Sequence, residues 1–424
     1  MDSPKLKDKP YAISKELVVK AYQKVKANRG AAGVDGVGIE EFEKDLRNNL
    51  YQIWNRMSSG SYFPPAVRAV EIPKSHGGGV RILGVPTLSD RVAQTVATMV
   101  LEPVVERMFH PDSYGYRPRR SALDAVATCR KRCWKRDWVI DLDIQNFFGS
   151  LDHDLVVKAV AANLRPGQEW VLLYVRRWLI APVQRPDGTR EVPDRGTPQG
   201  SAISPVLANL FLHYAFDTWL VREFPTVTFE RYADDAVVHC ATRRQAEHVR
   251  DAISQRMVEV GLRLHPAKTK IVYCQDTARR GSYEYTSFTF LGYTFRQRKM
   301  HNPRTNELFT SFTPAMSKEA LKAKGDELRS WRLHRRPSWT LDSLADAINP
   351  IVRGWMTYWG RFNRHEMHHL LARINAYVLR WARRKYRRLR SYKRAKAWWL
   401  TLVQRVPELF AHWQWTTAFL GRIR

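Results

Sequence analysis

The sequence has only four cysteines in 424 residues, Cys129, Cys133, Cys240 and Cys274. That is too few for a disulfide framework in a chain of this size. Cys129 and Cys133 sit four residues apart on an expected helix, but no second pair completes a zinc ligand set. Four buried or neutral thiols in a reducing compartment are therefore expected. No stretch reaches the roughly 18 continuous apolar residues of a membrane span. The N-terminus, MDSPKLKDKPYAISKELVVK, lacks the apolar centre of a secretory signal. A cytoplasmic location without a membrane partner follows as an expectation. Carboxylates are also scarce, with 41 Asp and Glu against 70 Lys and Arg and a formal net charge of +29.

The rest of the composition is that of a folded protein. A hydrophobic share of 44% and 15 Trp exclude a disordered basic tail. At about one domain per 150 residues, two or three domains are expected. So large a charge opposes compaction, and a polyanionic partner is its natural counterpart, nucleic acid first and an anionic membrane surface second. From residue 351 to 424 there are 17 Lys and Arg against only Glu366 and Glu408. Within it, LARINAYVLRWARRKYRRLR (371–390) has helical periodicity. Ile374, Tyr377, Val378 and Trp381 share one side, and Arg373, Arg380, Arg384 and Arg387 another. With Arg388, these arginines are the candidate phosphate contacts.

Strand and helix signals mix without βαβ repetition, which predicts an α+β catalytic part. Helix is expected over 14–58 around a glycine-rich loop, and over 88–110. EIPKSHGGGVRILGVP reads as two strands joined at Gly77–Gly79. WVIDLDI (138–144) reads as a strand, as does SFTFLGYTFR (287–296), and a helix is expected from about Pro205 to Glu223. From Pro314 onward helix dominates, and the change in composition near 300–315 suggests a boundary. The expected domains are 1–86, 87–300 and 301–424.

Carboxylates carry the chemistry. On a strand, Asp141 and Asp143 would share a face. Asp234 and Asp235 lie between two short strands, TVTFERYA and AVVHCA, where a tight turn would push them toward a neighbouring strand. Carboxylates converging from two strands repel unless cations lie between them. Oxygen-only ligation suits magnesium. Two such ions about 3.5–4 Å apart can activate a hydroxyl and stabilise a leaving pyrophosphate. His365, His368 and His369 have helical spacing, but their arginine-rich setting favours RNA contact or plain surface over a metal.

The ordered blocks IPKSHGGGVRILGVPTLSDRVAQ (72–94), SYGYRPRRSALDA (113–125), DIQNFFGSLDH (143–153), GTPQGSAISPVLANLFLHYAFD (196–217), RYADDAVV (231–238), LHPAKTKIV (264–272) and FTFLGYTF (288–295) resemble reverse transcriptases encoded by bacterial group II introns. INPIVRGWMTYWGRF (348–362) and LFAHW (409–413) extend the resemblance over nearly the whole chain. It implies a right-hand polymerase fold: fingers, a palm with an antiparallel sheet, and an all-α thumb and maturase domain. Asp143, Asp234 and Asp235 then match the catalytic carboxylates, and Ile144 a metal-binding carbonyl. The metal would be magnesium, two ions, with manganese as a substitute. Lys74 and Arg81 match triphosphate-binding residues. Phe148 matches the aromatic gate against a ribose 2′-hydroxyl, and Gln199 and Gly200 match a nucleotide-facing segment. Lys268 is either a general acid toward pyrophosphate or a surface lysine. Asp141 falls outside these matches and is supporting or structural.

The implied partners are intron RNA, an RNA template with a DNA primer, target DNA and deoxynucleoside triphosphates. The implied activity is RNA-directed DNA synthesis, joined to a maturase role in splicing. Gly149 departs from the acidic residue common in the family at that position. No cysteine and histidine cluster of the family's endonuclease domain follows the thumb, so second-strand cleavage is not expected, and the layout resembles the class C branch. Two other readings stay open: a free-standing reverse transcriptase in defence or repair, and a splicing-only RNA-binding factor.

Overall fold

The computed structural model describes residues 9–73, 79–302 and 304–419. The chain divides into two compact units, one of residues up to 125 together with 140–271, the other of 126–139 together with 272 onward. No helix among the described residues is long and apolar enough to cross a membrane.

In the first unit, helix Leu88–Val105 is the central element. Thr87 caps it, its side chain accepting from the Asp90 N–H, which satisfies one of the orphan donors of a helix start. Val92 and Val96 on one side and Leu101 and Val105 on the opposite side are all fully buried, so the helix is enclosed all round. This helix packs against helices Lys15–Ala27, Leu46–Ser58 and Glu169–Leu179. Beside it, strands β1 (Val67–Pro73) and β2 (Val80–Val85) form an antiparallel pair in which Pro73 faces Val80. The two expected strands are thus paired, while Gly77 and Gly78 of the expected tip lie outside the described residues. Strands β4 (Val183–Gln184) and β5 (Arg190–Glu191) extend it into a sheet of order β2-β1-β4-β5.

A second sheet has the order β6-β7-β3-β8, from strands β3 (Trp138–Leu142), β6 (Thr228–Tyr232), β7 (Asp235–Cys240) and β8 (Lys270–Tyr273). β7 is buried along almost its whole length, as a run of apolar residues on an inner strand should be. The long helix expected from about Pro205 is interrupted. It runs α-helical over Ser204–Leu212, passes through a π-helical turn at His213–Asp217, and resumes at Thr218–Glu223.

In the second unit, the segment read as one strand over 287–296 is two strands, β9 (Ser287–Phe290) and β10 (Tyr293–His301). Leu291 and Gly292 both adopt positive φ, 51° and 76°, the backbone of a two-residue hairpin turn. Pairing β10 with β11 (Leu308–Met316) stacks Phe288, Phe295 and Phe312. The compositional change near 300–315 therefore falls inside this hairpin. Beyond it come helices Lys318–Ser330, Leu341–Trp359, His368–Lys385 and Tyr392–Arg405. Their shared core includes Leu344, Val352, Val378, Trp381, Trp399 and Trp413. Each such side chain contributes roughly 1.5–3 kcal/mol of burial. The indole N–H groups of Trp381 and Trp399 donate to the Arg336 and Thr417 carbonyls, so these tryptophans are anchors rather than exposed platforms. All four cysteines are buried. Mixed sheets and helices agree with the α+β expectation.

Candidate active site

The register pairs Tyr232 with Asp235, so the β6–β7 turn consists of Ala233 and Asp234. Asp235 opens β7 instead of sharing the turn with Asp234. Ala233 has φ 57°, a left-handed conformation that costs an L-residue about 1–2 kcal/mol. A buried arginine offsets that cost. Arg231, 1% exposed, directs Nε and Nη2 to the two oxygens of Asp217 at 2.7 and 2.6 Å. Its Nη1 donates to Asn209 Oδ1 at 3.0 Å and to the Ala233 carbonyl at 2.9 Å. Asp217, 0% exposed, is the last residue of the π-helical turn. A π turn adds a residue to the helix, a feature frequent at functional sites.

The loop of SYGYRP closes over the same turn. A Cβ on Gly115 would lie 2.3 Å from the Ala233 nitrogen, so only glycine allows this approach. Asn209 Nδ2 holds the Gly115 carbonyl at 2.7 Å. Next to it, the Tyr116 ring lies 6.3 Å from that of Tyr232. The Tyr116 hydroxyl is shifted above its ordinary pKa by burial and then by the charge of Asp234, with Arg81 opposing.

Asp143 is the first residue after β3. Its carbonyl accepts from His265 N at 2.7 Å, and Gln145 N donates to the Arg263 carbonyl at 2.8 Å. Ile144 faces Leu264 between these two bonds. Alternation along an extended strand then turns the Ile144 carbonyl to the opposite side, away from that pairing. The Asp143 side chain accepts from Lys268 Nζ at 3.0 Å. Asp141 is pushed up to about 7 by burial and by the Asp143 charge, against Lys270. Asp141 thus carries a proton readily, which suits a supporting carboxyl better than a metal ligand.

Burial raises the Asp234 pKa, and the neighbouring Asp143 charge raises it further, while Arg81 and Arg231 pull it down. Asp143 and Arg81, both far from Asp234 in sequence, thus lie near enough for their charges to act on it. Among the described residues, Asp143, Asp234 and Asp235 do not all bring an oxygen within 4.8 Å of the others. The ammonium of Lys268 holds Asp143 instead. Carboxylate oxygens are the donor type a divalent cation prefers, and repulsion between carboxylates is what such a cation would relieve.

The other expected residues surround this centre. Asn146 at φ 42° starts the short helix Phe147–Ser150. Phe147 is buried and Phe148 half-buried, and their rings meet edge to face. The GTPQG loop is fastened to this turn, with Thr197 N donating to the Phe148 carbonyl and Gly196 N to the Leu151 carbonyl, both at 2.7 Å. A Cβ on Gly196 would lie 2.8 Å from Gly149 Cα, and one on Gly149 would collide with the Asn146 side chain. The close backbone approach thus accounts for the glycine at 196, whereas a side chain at 149 would have to displace only the end of Asn146. The Gln199 carbonyl accepts from Gly84 N at 2.8 Å, setting Gln199 and Gly200 against β2. Arg81 is exposed on that strand. Lys74 lies outside the described residues.

In the second unit, Arg380, Arg384, Arg387 and Arg388 are exposed and Arg373 half-buried. His365 and His369 flank an open groove with Arg296, Lys299 and Arg364. With His368 they form no metal-ligand cluster among the described residues. Sequence reasoning missed Tyr116, Gly115, Arg231, Asp217 and Asn209. The only signal was their presence in the quoted blocks, because a buried ion pair and a close backbone approach have no local pattern.

Residues 72–295 match the family described as Reverse transcriptase (RNA-dependent DNA polymerase). Residues 321–399 match the Group II intron, maturase-specific domain. Protein YkfC of Escherichia coli (strain K12) is 32% identical over 299 residues, covering 62% of this chain and 74% of that protein. Group II intron-encoded protein LtrA of Lactococcus lactis subsp. cremoris is 28% identical over 203 residues, 48% of this chain and 33% of LtrA. The Putative COX1/OXI3 intron 1 protein of Saccharomyces cerevisiae is 28% identical over 205 residues, 48% of this chain and 24% of that protein. The chain thus spans a third or less of the length of these two intron-encoded relatives.

Proposed function

The chain belongs to the reverse transcriptase family and carries a group II intron maturase-specific domain, and from that premise we propose that it copies RNA into DNA and assists splicing of an intron RNA. The observation that carries the reading is the electrostatic setting of Asp234. The charges of both Asp143 and Arg81 act on Asp234, and acidic and basic groups in that combination would serve a metal and a triphosphate.

In this reading the chain has the right-hand polymerase fold, with fingers and palm within 1–300 and the helical thumb and maturase part within 301–424. Asp143, Asp234 and Asp235, with the Ile144 carbonyl, are the residues that would hold two magnesium ions. Magnesium bound there would lower the charge cost of joining a primer 3′-hydroxyl to the α-phosphate and of releasing pyrophosphate. Arg81, with Lys74, binds the triphosphate by charge-assisted hydrogen bonds. Lys268, whose Nζ donates to Asp143 at 3.0 Å, would act as the general acid that gives a proton to the departing pyrophosphate. Phe148 blocks the space of a 2′-hydroxyl. The Arg380, Arg384, Arg387 and Arg388 surface binds structured RNA through its phosphates.

The test is primer extension on an RNA template with magnesium, in parallel with a splicing assay. Asp234→Ala should abolish cDNA synthesis and leave RNA binding in place. Normal cDNA synthesis by that variant would overturn the metal site. Splicing support by the unaltered protein without any cDNA synthesis would overturn the polymerase reading.

A further inference from the structure

A chain of buried hydrogen bonds leads from the centre of the first unit to the GTPQG loop. Asp90 is 1% exposed and Gln94 2%. Asp90 Oδ1 accepts from Trp178 Nε1 at 2.8 Å and from Tyr62 OH at 3.0 Å. Its Oδ2 accepts from Gln94 Nε2 at 2.9 Å. Because the Gln94 amine is committed to Asp90, the Gln94 carbonyl must face the other way. There Oε1 accepts from Ser201 Oγ at 2.6 Å and from Ala202 N at 2.8 Å. The loop is thus gripped on both sides of Gly200, by Gly84 N at the Gln199 carbonyl and by Gln94 beyond it. Gly200 itself has φ 116°, and a Cβ there would lie 2.7 Å from the Gly84 carbonyl. This backbone has one shape, and the polarity of the Asp90–Gln94 pair selects it.

We propose that Asp90 and Gln94 are positioning residues for the incoming nucleotide, setting the Gln199–Gly200 backbone through Ser201 and Ala202. The inference rests on the reading of Gln199 and Gly200 as nucleotide-facing. A core needing only bulk would be served by apolar residues at both positions. Burial pushes the Asp90 carboxyl up to about 6, against the lowering effect of the bonds it accepts from Trp178, Tyr62 and Gln94. A carboxyl kept at such cost is informative when each of its contacts orients a donor.

In Asp90→Asn, the new amine meets the Gln94 amine. Gln94 must then rotate, and it presents a donor to the Ala202 N–H. KM for deoxynucleotide should rise about tenfold, the equivalent of one buried hydrogen bond, with kcat changed less than about threefold. The exchange Asp90→Asn with Gln94→Glu restores every donor–acceptor pair with the direction between residues 90 and 94 reversed. Its KM should return to within about twofold of the original. Steady-state primer extension with varied deoxynucleotide gives both constants, and thermal unfolding of each variant is followed alongside. Unchanged KM in Asp90→Asn, or a double exchange that recovers thermal stability without recovering KM, would overturn the proposal. Absence of synthesis by the unaltered protein would instead overturn the polymerase reading itself.

Discussion

Replacing Arg231 with Met removes the hydrogen bonds that hold the strained Ala233–Asp234 turn. It leaves Asp217, 0% exposed, as a buried charge without its arginine, which costs about 3–5 kcal/mol. The Ala233 carbonyl and Asn209 Oδ1 lose their partner as well, at about 1–3 kcal/mol for each group left unsatisfied. Against a typical stability of about 5–15 kcal/mol, Arg231→Met should be barely folded at 37 °C. Loss of activity in that variant alone would say little. Adding Asp217→Leu separates the two effects. An apolar pair of similar volume is often neutral or better than a buried ion pair, so Arg231→Met with Asp217→Leu should regain most of the urea midpoint. It cannot regain the bond to the Ala233 carbonyl. The turn then relaxes and Asp234 shifts, and a displacement of about 1 Å costs on the order of 100-fold in rate. Circular dichroism in urea and primer extension at saturating nucleotide give the two readouts. Full cDNA synthesis by the stable double variant would refute the claim that Arg231 positions the turn.

Phe148→Ala should relax selection against ribonucleotides, read as the ratio of kcat/KM for a ribonucleotide and its deoxy counterpart; an unchanged ratio would remove Phe148 from the gate. Burial and the Asp143 charge push the Asp141 carboxyl up to about 7 in the fold from about 3.9 when unfolded, so the fold binds the extra proton and loses stability as pH rises between these values. Asp141→Asn should therefore raise the unfolding free energy from urea titration at pH 8 in chelator, by about 2 kcal/mol for a partly buried carboxyl, and leave it unchanged near pH 3. Changing Arg380, Arg384, Arg387 and Arg388 together to Ala should flatten the salt dependence of RNA binding. The slope of log K against log[salt] should fall by about 0.7–0.9 for each phosphate that is no longer neutralised. A parallel displacement with the original slope would place the phosphate-binding surface elsewhere.

Much of this molecule is legible before folding is considered. Alternation and the 3.6-residue period locate strands β1 and β2, helix Leu88–Val105 and the tryptophan-anchored helices, because those signals are local. The candidate carboxylates Asp143, Asp234 and Asp235 are legible as well, through the blocks in which they stand. Local patterns fail where position along the chain stops predicting position in space. They make 287–296 one strand, although positive φ at Leu291 and Gly292 folds it into two. They put Asp235 in a turn, although the register gives it to β7.

The sequence alone decided the charge balance, the element types and the family. Tertiary structure decided which charges act together. Arg231 meets Asp217 across a π turn, Lys268 meets Asp143 from 125 positions away, and Asp90 reaches the GTPQG loop through Gln94. Each pairing matters because its groups are removed from water or drawn to a common point. Both conditions depend on what surrounds a side chain, which no run of neighbouring residues contains.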